Sequence, residues 1–469
     1  MLIRGAEVWR HGIADVRLAG GSIDAIGALP PRAGEAVIEA RGGALLPGLH
    51  DHHIHLAGLA ARAASVPCGP PEVEDAGRLA LALAQPGSGW LRGVGYHESV
   101  MGLPDARTLD ALCRERPLRI QHRSGRMWLL NSRALAELLA HAKPPPGMER
   151  DASGFTGRLF DEDEWLRTAI GSVPPDFAAI SAKLAGYGVT GITDMSPRND
   201  PAMAAHFTRQ IEDGALRQHV TLAGALSLDA AEPGPWRLGP AKLHLHEAAL
   251  PDFDEAGEFV QAAHAASRPV AIHCVSEVEL VFALALFEEA GAGPGDRIEH
   301  ASVASLELVA RVAGLGLAVC VQPHFVHERG DRYLADVEPR HHPDLYRLRS
   351  LVEAGLALAG GSDAPFGQAD PWAAMRAAVL RRTRAGLAIT PNEALTPEQA
   401  LGLFLKHTAR LDEDRAVVPG ARADLCLLDR PWAEQRVTLG SEAVRGCWVS
   451  GRLVHDGIDQ PPFQRATGG

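Results

Sequence analysis

From residue 189 to residue 362 the chain repeats one pattern: a short, largely apolar run followed by a longer amphipathic stretch. The runs fall at 189–194, 220–226, 241–246, 270–274, 297–300, 317–321 and 356–362. Buried strands that alternate with amphipathic helices belong to a parallel sheet, because each parallel pair needs a crossover between its strands. An earlier run, led by Gly43-Ala44-Leu45-Leu46 and continuing as Pro47-Gly48-Leu49-His50-Asp51-His52-His53-Ile54-His55-Leu56, brings the strand count to eight. Eight strands of this kind make an α/β fold of the TIM-like (β/α)8 barrel type.

The two ends of the chain read differently. Residues 1–47 carry short alternating segments broken by glycines (Ala6-Glu7-Val8-Trp9, Asp15-Val16-Arg17-Leu18, Ser22-Ile23-Asp24-Ala25-Ile26), the mark of antiparallel strands and tight turns. Residues 415–460 repeat that texture, so both ends are expected to close into one small composite β-sandwich domain. The barrel then occupies 48–57 and 168–414. The stretch 58–167 has strand-like pieces of its own at 90–96 and 118–122 and a Pro-rich segment, Lys143-Pro144-Pro145-Pro146-Gly147, and reads as an insertion domain after the first barrel strand. The tail after Pro461 is expected to be loose.

Composition narrows the function. No apolar run approaches the roughly 20 residues of a membrane span, and the start, Met1-Leu2-Ile3-Arg4-Gly5-Ala6-Glu7, lacks the apolar stretch of an export signal. Six cysteines (Cys68, Cys113, Cys274, Cys320, Cys426, Cys447) without paired spacing suit reduced thiols, and a cytoplasmic location is expected. A formal net charge of −12 argues against nucleic-acid or anionic-membrane partners. A small-molecule substrate is the default, and a homo-oligomer is compatible with it.

The chemistry begins at His53 and His55. Alternate residues of a strand share a face, so these two imidazoles point one way with Asp51 behind them, the arrangement that grips a divalent cation. His50 and His52 face the other way and read as structural. In a barrel, active residues gather where strands end, and there the chain places Lys242, His273, His300 and Asp363. Singly, each has a plain alternative: a hydrogen-bonded histidine, a snorkelling or paired lysine, a helix-capping aspartate. In order on successive strands they form one constellation. His324 sits at the seventh strand's end, as a pocket residue or a surface histidine.

With these motifs, and with Gly93-Val94-Gly95-Tyr96, Trp128-Leu129-Leu130-Asn131-Ser132-Arg133-Ala134-Leu135, Gly154-Phe155-Thr156-Gly157-Arg158-Leu159, Arg297-Ile298-Glu299-His300-Ala301, Val321-Gln322-Pro323 and Gly361-Ser362-Asp363-Ala364-Pro365, the chain resembles the amidohydrolase superfamily of metal-dependent hydrolases, in its amidohydrolase-3 or YtcJ-like branch. The resemblance covers almost the whole chain. It implies that His53, His55 and Asp363 bind a first metal and His273 and His300 a second. It also implies that Lys242 carries a carbamate bridging the two. Zinc is the expected ion, one or two per chain, with manganese, iron or cobalt also suited to such a ligand shell. The run Lys242-Leu243-His244 is similar to the urease segment in which the histidine contacts the substrate carbonyl, which makes His244 a second catalytic candidate. Asp51 is expected to support the ligands. At Arg126, relatives often have histidine; the insertion covers the pocket in this branch, so Arg126 either holds an acidic or carbonyl-rich substrate or makes an ordinary ion pair.

The expected reaction is hydrolysis of an amide-type C–N bond other than a peptide bond (N-acyl, N-formyl or cyclic amide). A metal-activated hydroxide attacks, and Asp363 moves the proton from water to the leaving nitrogen. Three alternatives stand beside it. One metal on His53, His55, His273 and Asp363 leaves His300 to assist the substrate and Lys242 unmodified. A deaminase of a heterocycle fits less well, because deaminases of the superfamily usually carry glutamate three residues after the strand-five histidine, where this chain has Ser276. A non-catalytic binding protein on the same scaffold normally loses the metal ligands that this chain keeps.

Overall fold

A computed structural model describes residues 1–171 and 174–458; the tail after Pro461 lies outside the described residues. The chain divides into two compact units, one formed by residues 1–56 together with the chain from Asp176 onward, the other by Ala57–Pro175. Among the described residues no helix is long and apolar enough to cross a membrane.

The first unit contains an eight-stranded parallel sheet of β1 (Leu49–Ile54), β2 (Val189–Asp194), β3 (His219–Gly224), β4 (Arg237–His244), β5 (Val270–Cys274), β6 (Arg297–His300), β7 (Ala318–Val321) and β8 (Leu358–Gly360), hydrogen-bonded in that order. All residues of β1 and β2 are buried, as strands with a packed interior on one side and helices on the other must be. Register carries the candidate site residues around the ring: His244 lies opposite His273, and Cys274 opposite His300. The ring closes through the segment just after β8. The Asp363 amide donates to the His53 carbonyl at 2.6 Å, and the His55 amide to the Ala364 carbonyl at 2.8 Å. Gly361 permits that approach, since a Cβ there would stand 2.4 Å from the His53 Cβ.

Three strands end two residues before the sequence reading. The last one spans Leu358–Gly360 rather than 356–362, because the backbone turns into the left-handed region at Asp363 (φ 50°) and Ser362 already belongs to the loop. β4 starts at Arg237 and stops at His244, where His246 caps a 3₁₀ turn, Glu247–Ala249, by accepting from the Ala248 amide at 3.3 Å. β3 stops at Gly224, and a 3₁₀ turn follows at Leu226–Ala230.

Both ends of the chain build a second sheet in the same unit. Leu2–Val8, Gly12–Ala19, Ser22–Gly27, Val37–Glu39 and Ala44–Pro47 join Leu425–Leu428, Val444–Val449 and Arg452–Asp456, the two halves meeting where Leu45 pairs with Leu427. Ile3, Val8, Val16, Leu45, Leu425, Leu427 and Trp448 form its core.

The other unit is a six-stranded sheet ordered Met148–Asp151, Gly154–Phe160, Met127–Leu130, Leu118–His122, Leu91–Tyr96 and Val66–Pro67. Alternation along Met127–Leu130 sends Met127 and Leu129 into one apolar cluster and Trp128 and Leu130 into another. Buried Asn131 locks the sheet to helix Ser132–Leu139. Its side chain donates to the Cys113 and Arg116 carbonyls and accepts from the Leu118 and Ala134 amides.

Candidate metal centre

The C-terminal ends of the barrel strands bring His53, His55, Lys242, His273, His300 and Asp363 into one cluster. His53 lies on β1, and His55 stands one residue beyond its end, yet both rings reach Asp363. The Asp363 Oδ1 is 3.4 Å from His53 Nε2 and 3.1 Å from His55 Nε2. Donors on a common tetrahedral ion with bonds of about 2.1 Å stand about 3.4 Å apart, so these three atoms already have the spacing of a shared cation. The His300 ring lies 4.9 Å from that of His53 and 4.4 Å from that of His273, and His244 stacks 4.2 Å from His273.

The side chains behind the ligands decide which nitrogen faces the centre. His53 Nδ1 is held at 2.5 Å by Glu299, His55 Nδ1 at 3.1 Å by Ser196 Oγ, and His300 Nδ1 at 2.7 Å by Gln322 Oε1. In each case Nε2 is left to face inward, and anchoring of this kind fixes tautomer and ring orientation in metal sites. Glu299 is fully buried and also ion-paired at 2.5 Å with Arg297 Nε, while Arg297 Nη2 donates to the His52 carbonyl and to Met195 Sδ. Cys320 approaches His53 and Glu299 as well, but burial and the neighbouring Glu299 push its thiol well above its usual range, so it stays protonated.

Two buried atoms in the cluster have no partner, Lys242 Nζ and His300 Nε2. Buried polar atoms are nearly always satisfied, and both lie where a cation or a modified lysine would complete them. The residues present therefore fit a divalent metal. Their protonation agrees. Burial, helped by Lys242, brings His300 down to about 3; burial brings His53 down to about 4 even though Glu299 pulls the other way. His273 falls further for the same reason, with the neighbouring His300 and Lys242 adding to it. All three are neutral imidazoles, the form that donates a lone pair. Burial lowers the Lys242 amine as well, against the pull of Glu299. Asp363 stays ionised: burial opposes its charge, but the His55 contact and the surrounding imidazoles outweigh burial.

The remaining candidates fall in distinct places. Asp51 does not touch the ligand rings. Its Oδ1 accepts from the His53 and Ser362 amides at 3.1 and 2.9 Å, tying the two ligand-bearing segments together, and burial raises its carboxyl to about 7. His50 bonds Thr193 Oγ1 at 2.9 Å, and His52 is fully buried beside it. His324 is no surface residue: it is 1% exposed, and its Nε2 binds the Ser362 carbonyl at 2.9 Å, so it holds the loop that carries Asp363. In the other unit Arg126 grips Asp161 with two hydrogen bonds, 2.8 and 2.7 Å, the ordinary ion pair. Ser276 caps helix Glu277–Ala290 in a capping box with Glu279.

Comparison with known proteins follows this geometry. The profile described as the amidohydrolase family matches residues 36–455. The chain belongs to that family. This amidohydrolase is 27% identical, over 88% of each chain, to an N-substituted formamide deformylase from Arthrobacter pascens. It is 24% identical to the putative amidohydrolase YtcJ of Bacillus subtilis strain 168, over 89% of this chain and 90% of the relative. Its fold matches an uncharacterized metal-dependent hydrolase from Pyrococcus horikoshii OT3 with a TM-score of 0.75 at 21% identity, covering 92% of this chain and 96% of the other. It is an enzyme of the amidohydrolase family.

Glu299, Arg297, Ser196 and Gln322 escaped the reading of candidate residues. Glu299 had a sequence signal: Arg297 and Glu299 share a face of a buried strand by period two, and opposite charges so placed mark an internal ion pair. Ser196 and Gln322 sit in loops after β2 and β7, where no local pattern announces a partner.

Proposed function

We propose that the chain hydrolyses the C–N bond of a small N-formyl or N-acyl amine. A pair of divalent ions, zinc first among them, would be held by His53, His55, Asp363, His273, His300 and a carboxylated Lys242. The observation that carries this reading is the convergence of His53 Nε2, His55 Nε2 and the Asp363 carboxylate beside the unpartnered, buried Lys242 Nζ and His300 Nε2. Likeness to the formamide deformylase over most of both chains makes N-substituted formamides the first substrates to test.

The bound ion supplies a water of lowered pKa and polarises the carbonyl. Asp363 takes the proton from the attacking water and delivers it to the leaving nitrogen, a task for an ionised carboxylate within reach of both. His244, its ring tilted against that of His273, is brought by desolvation among these neighbours and by the charge of Lys242 down to about 4, so a neutral imidazole offers a hydrogen bond to the carbonyl oxygen. At Lys242 a neutral amine adds to CO2: an N–C bond forms, one proton leaves the nitrogen, and the carbamate presents two anionic oxygens where an ammonium offers no lone pair.

Metal-replete protein is expected to release formate from N-substituted formamides. Intact-mass measurement under CO2 is expected to find one added carboxyl group, lost in Lys242→Ala. Release of ammonia from aminated heterocycles, with no formate from any formamide, would favour the deaminase instead. That reading stands second because Ser276, at the position of the deaminase acid, is already committed to capping a helix.

A further inference from the structure

A cavity of about 610 Å³ opens in the first unit where β1 to β4 begin, at the end of the barrel away from the metal ligands. Its wall takes His50 from β1, His219 from β3, Trp236 and Arg237 at the start of β4, and Arg415 and Arg422 from the chain leading into the composite sheet. The hydrolytic chemistry uses none of them. The volume is that of sites enclosing small molecules, roughly 300–1,000 Å³. His50 and His53 are three residues apart, about 10 Å of strand at ~3.3 Å per residue, so an occupant here lies apart from the metal ligands.

The charges of this wall do not balance. Its carboxylates, Asp414 and Asp424, are already engaged. Asp424 holds Arg422, His219 Nε2 at 3.1 Å and the Ser450 amide at 2.8 Å; Asp414 is ion-paired with Lys406 at 2.8 Å and Arg10 at 3.1 Å. Arg415 reaches only backbone carbonyls, those of Gly48 and Phe404, and its Nε is buried without a partner. Arg237 is exposed at the rim and has no carboxylate oxygen within 4.0 Å among the described residues. Two guanidinium groups without an ion-pair contact among the described residues, Arg415 feeling Asp424 only at longer range, thus border one cavity in a chain whose net charge is −12. Low-dielectric walls concentrate such a field, and a buried cation is costly until an anion completes it.

We propose that this cavity binds a small organic anion through a phosphate or carboxylate group, gripped by the forked donors of Arg237 and the free Nη1 of Arg415, with the Trp236 ring as its apolar wall. The proposal is independent of the hydrolytic reading. Calorimetric titration of the metal-replete full chain with inorganic phosphate and, separately, with citrate, at constant ionic strength in chloride, is expected to show saturable binding at one site. The tighter of the two tells phosphate from carboxylate. Arg237→Ala removes a side chain with no protein partner, so it spares the fold and weakens binding at least tenfold. Arg415→Lys keeps the charge, loses the Nη1 donor and weakens binding as well, whereas His55→Ala leaves it unchanged. The proposal is overturned if neither anion binds saturably, if Arg237→Ala has no effect, or if His55→Ala abolishes binding that Arg237→Ala retains.

Discussion

Replacing Glu299 by glutamine is the sharpest test of how this centre is held together. The carboxylate sits 2.5 Å from His53 Nδ1 and 2.5 Å from Arg297 Nε, and Glu299 and His53 are 0% and 1% exposed, so no solvent screens the contacts. Glutamine keeps an oxygen that can accept from Nδ1 but removes the charge. Two effects follow, and they separate. Arg297 becomes a buried, uncompensated cation, which costs on the order of 3–5 kcal/mol of stability. His53 becomes a less basic and less firmly oriented ligand, a change typically worth 10–100-fold in metal affinity, or about 1.4–2.7 kcal/mol. Zinc affinity, read by competition with a chromophoric chelator at fixed pH, is expected to fall by that factor, while thermal unfolding of the metal-free protein reports the first effect alone. Adding Arg297→Met to Glu299→Gln should restore most of the stability and none of the affinity. The reasoning fails if Glu299→Gln destabilises the metal-free chain yet binds zinc as tightly as the parent; Glu299 would then serve only as the counter-ion of Arg297.

Asp363→Asn should lower kcat by about 10²–10⁴ without loss of fold by circular dichroism, because the closing bond to the His53 carbonyl uses the backbone amide of residue 363. Full turnover in that variant would remove Asp363 from the proton path. Gly361→Ala drives a methyl to 2.4 Å from the His53 Cβ and is expected to cost roughly 1–3 kcal/mol in denaturant titration together with a loss of bound metal. In the composite sheet, Arg17 and the Arg32 amide hold Glu35 down to about 2 against its burial. A depressed folded pKa gives stability that is present above the unfolded value of about 4.3 and is lost as pH falls through about 2. Glu35→Gln should therefore flatten the acid-unfolding curve, followed by tryptophan fluorescence, between about pH 4.5 and pH 2.

Much of this was legible in sequence because burial on two faces leaves an apolar run that nothing else explains; the eight runs fall where β1 to β8 stand, with Val189–Asp194, Val270–Cys274 and Arg297–His300 matching residue for residue. The clustering of the candidate histidines was legible because a barrel collects strand ends at one rim. What stayed hidden depends on tertiary geometry. The left-handed backbone at Asp363 cut the last strand short, and nothing local distinguishes Asp363 from an extended residue. His324 reads as exposed or pocket-facing until the Ser362 carbonyl is seen to cover its Nε2. Glu299 had a readable signal, but a search for metal ligands passes over the groups that orient them.

The bond from the Ser362 amide to Asp51 spans 311 residues and is among those that close the barrel. During synthesis at roughly 5–20 residues per second, that separation means about 15–60 s between the making of His53 and the arrival of Asp363. In that interval the contiguous unit Ala57–Pro175 can fold on itself, whereas β1 waits for β2, made after that unit, and for the Gly361–Ala364 segment, made last. The thermodynamic gain from shortening the open loop by that folded unit is small, a few tenths of a kcal/mol, because closure entropy grows only with the logarithm of length. Its consequence is one of timing: the Asp363 carboxylate is the last part of the cluster to arrive, so a nascent or truncated protein ending before it carries His53, His55, Lys242, His273 and His300 without the carboxylate on which His53 and His55 converge.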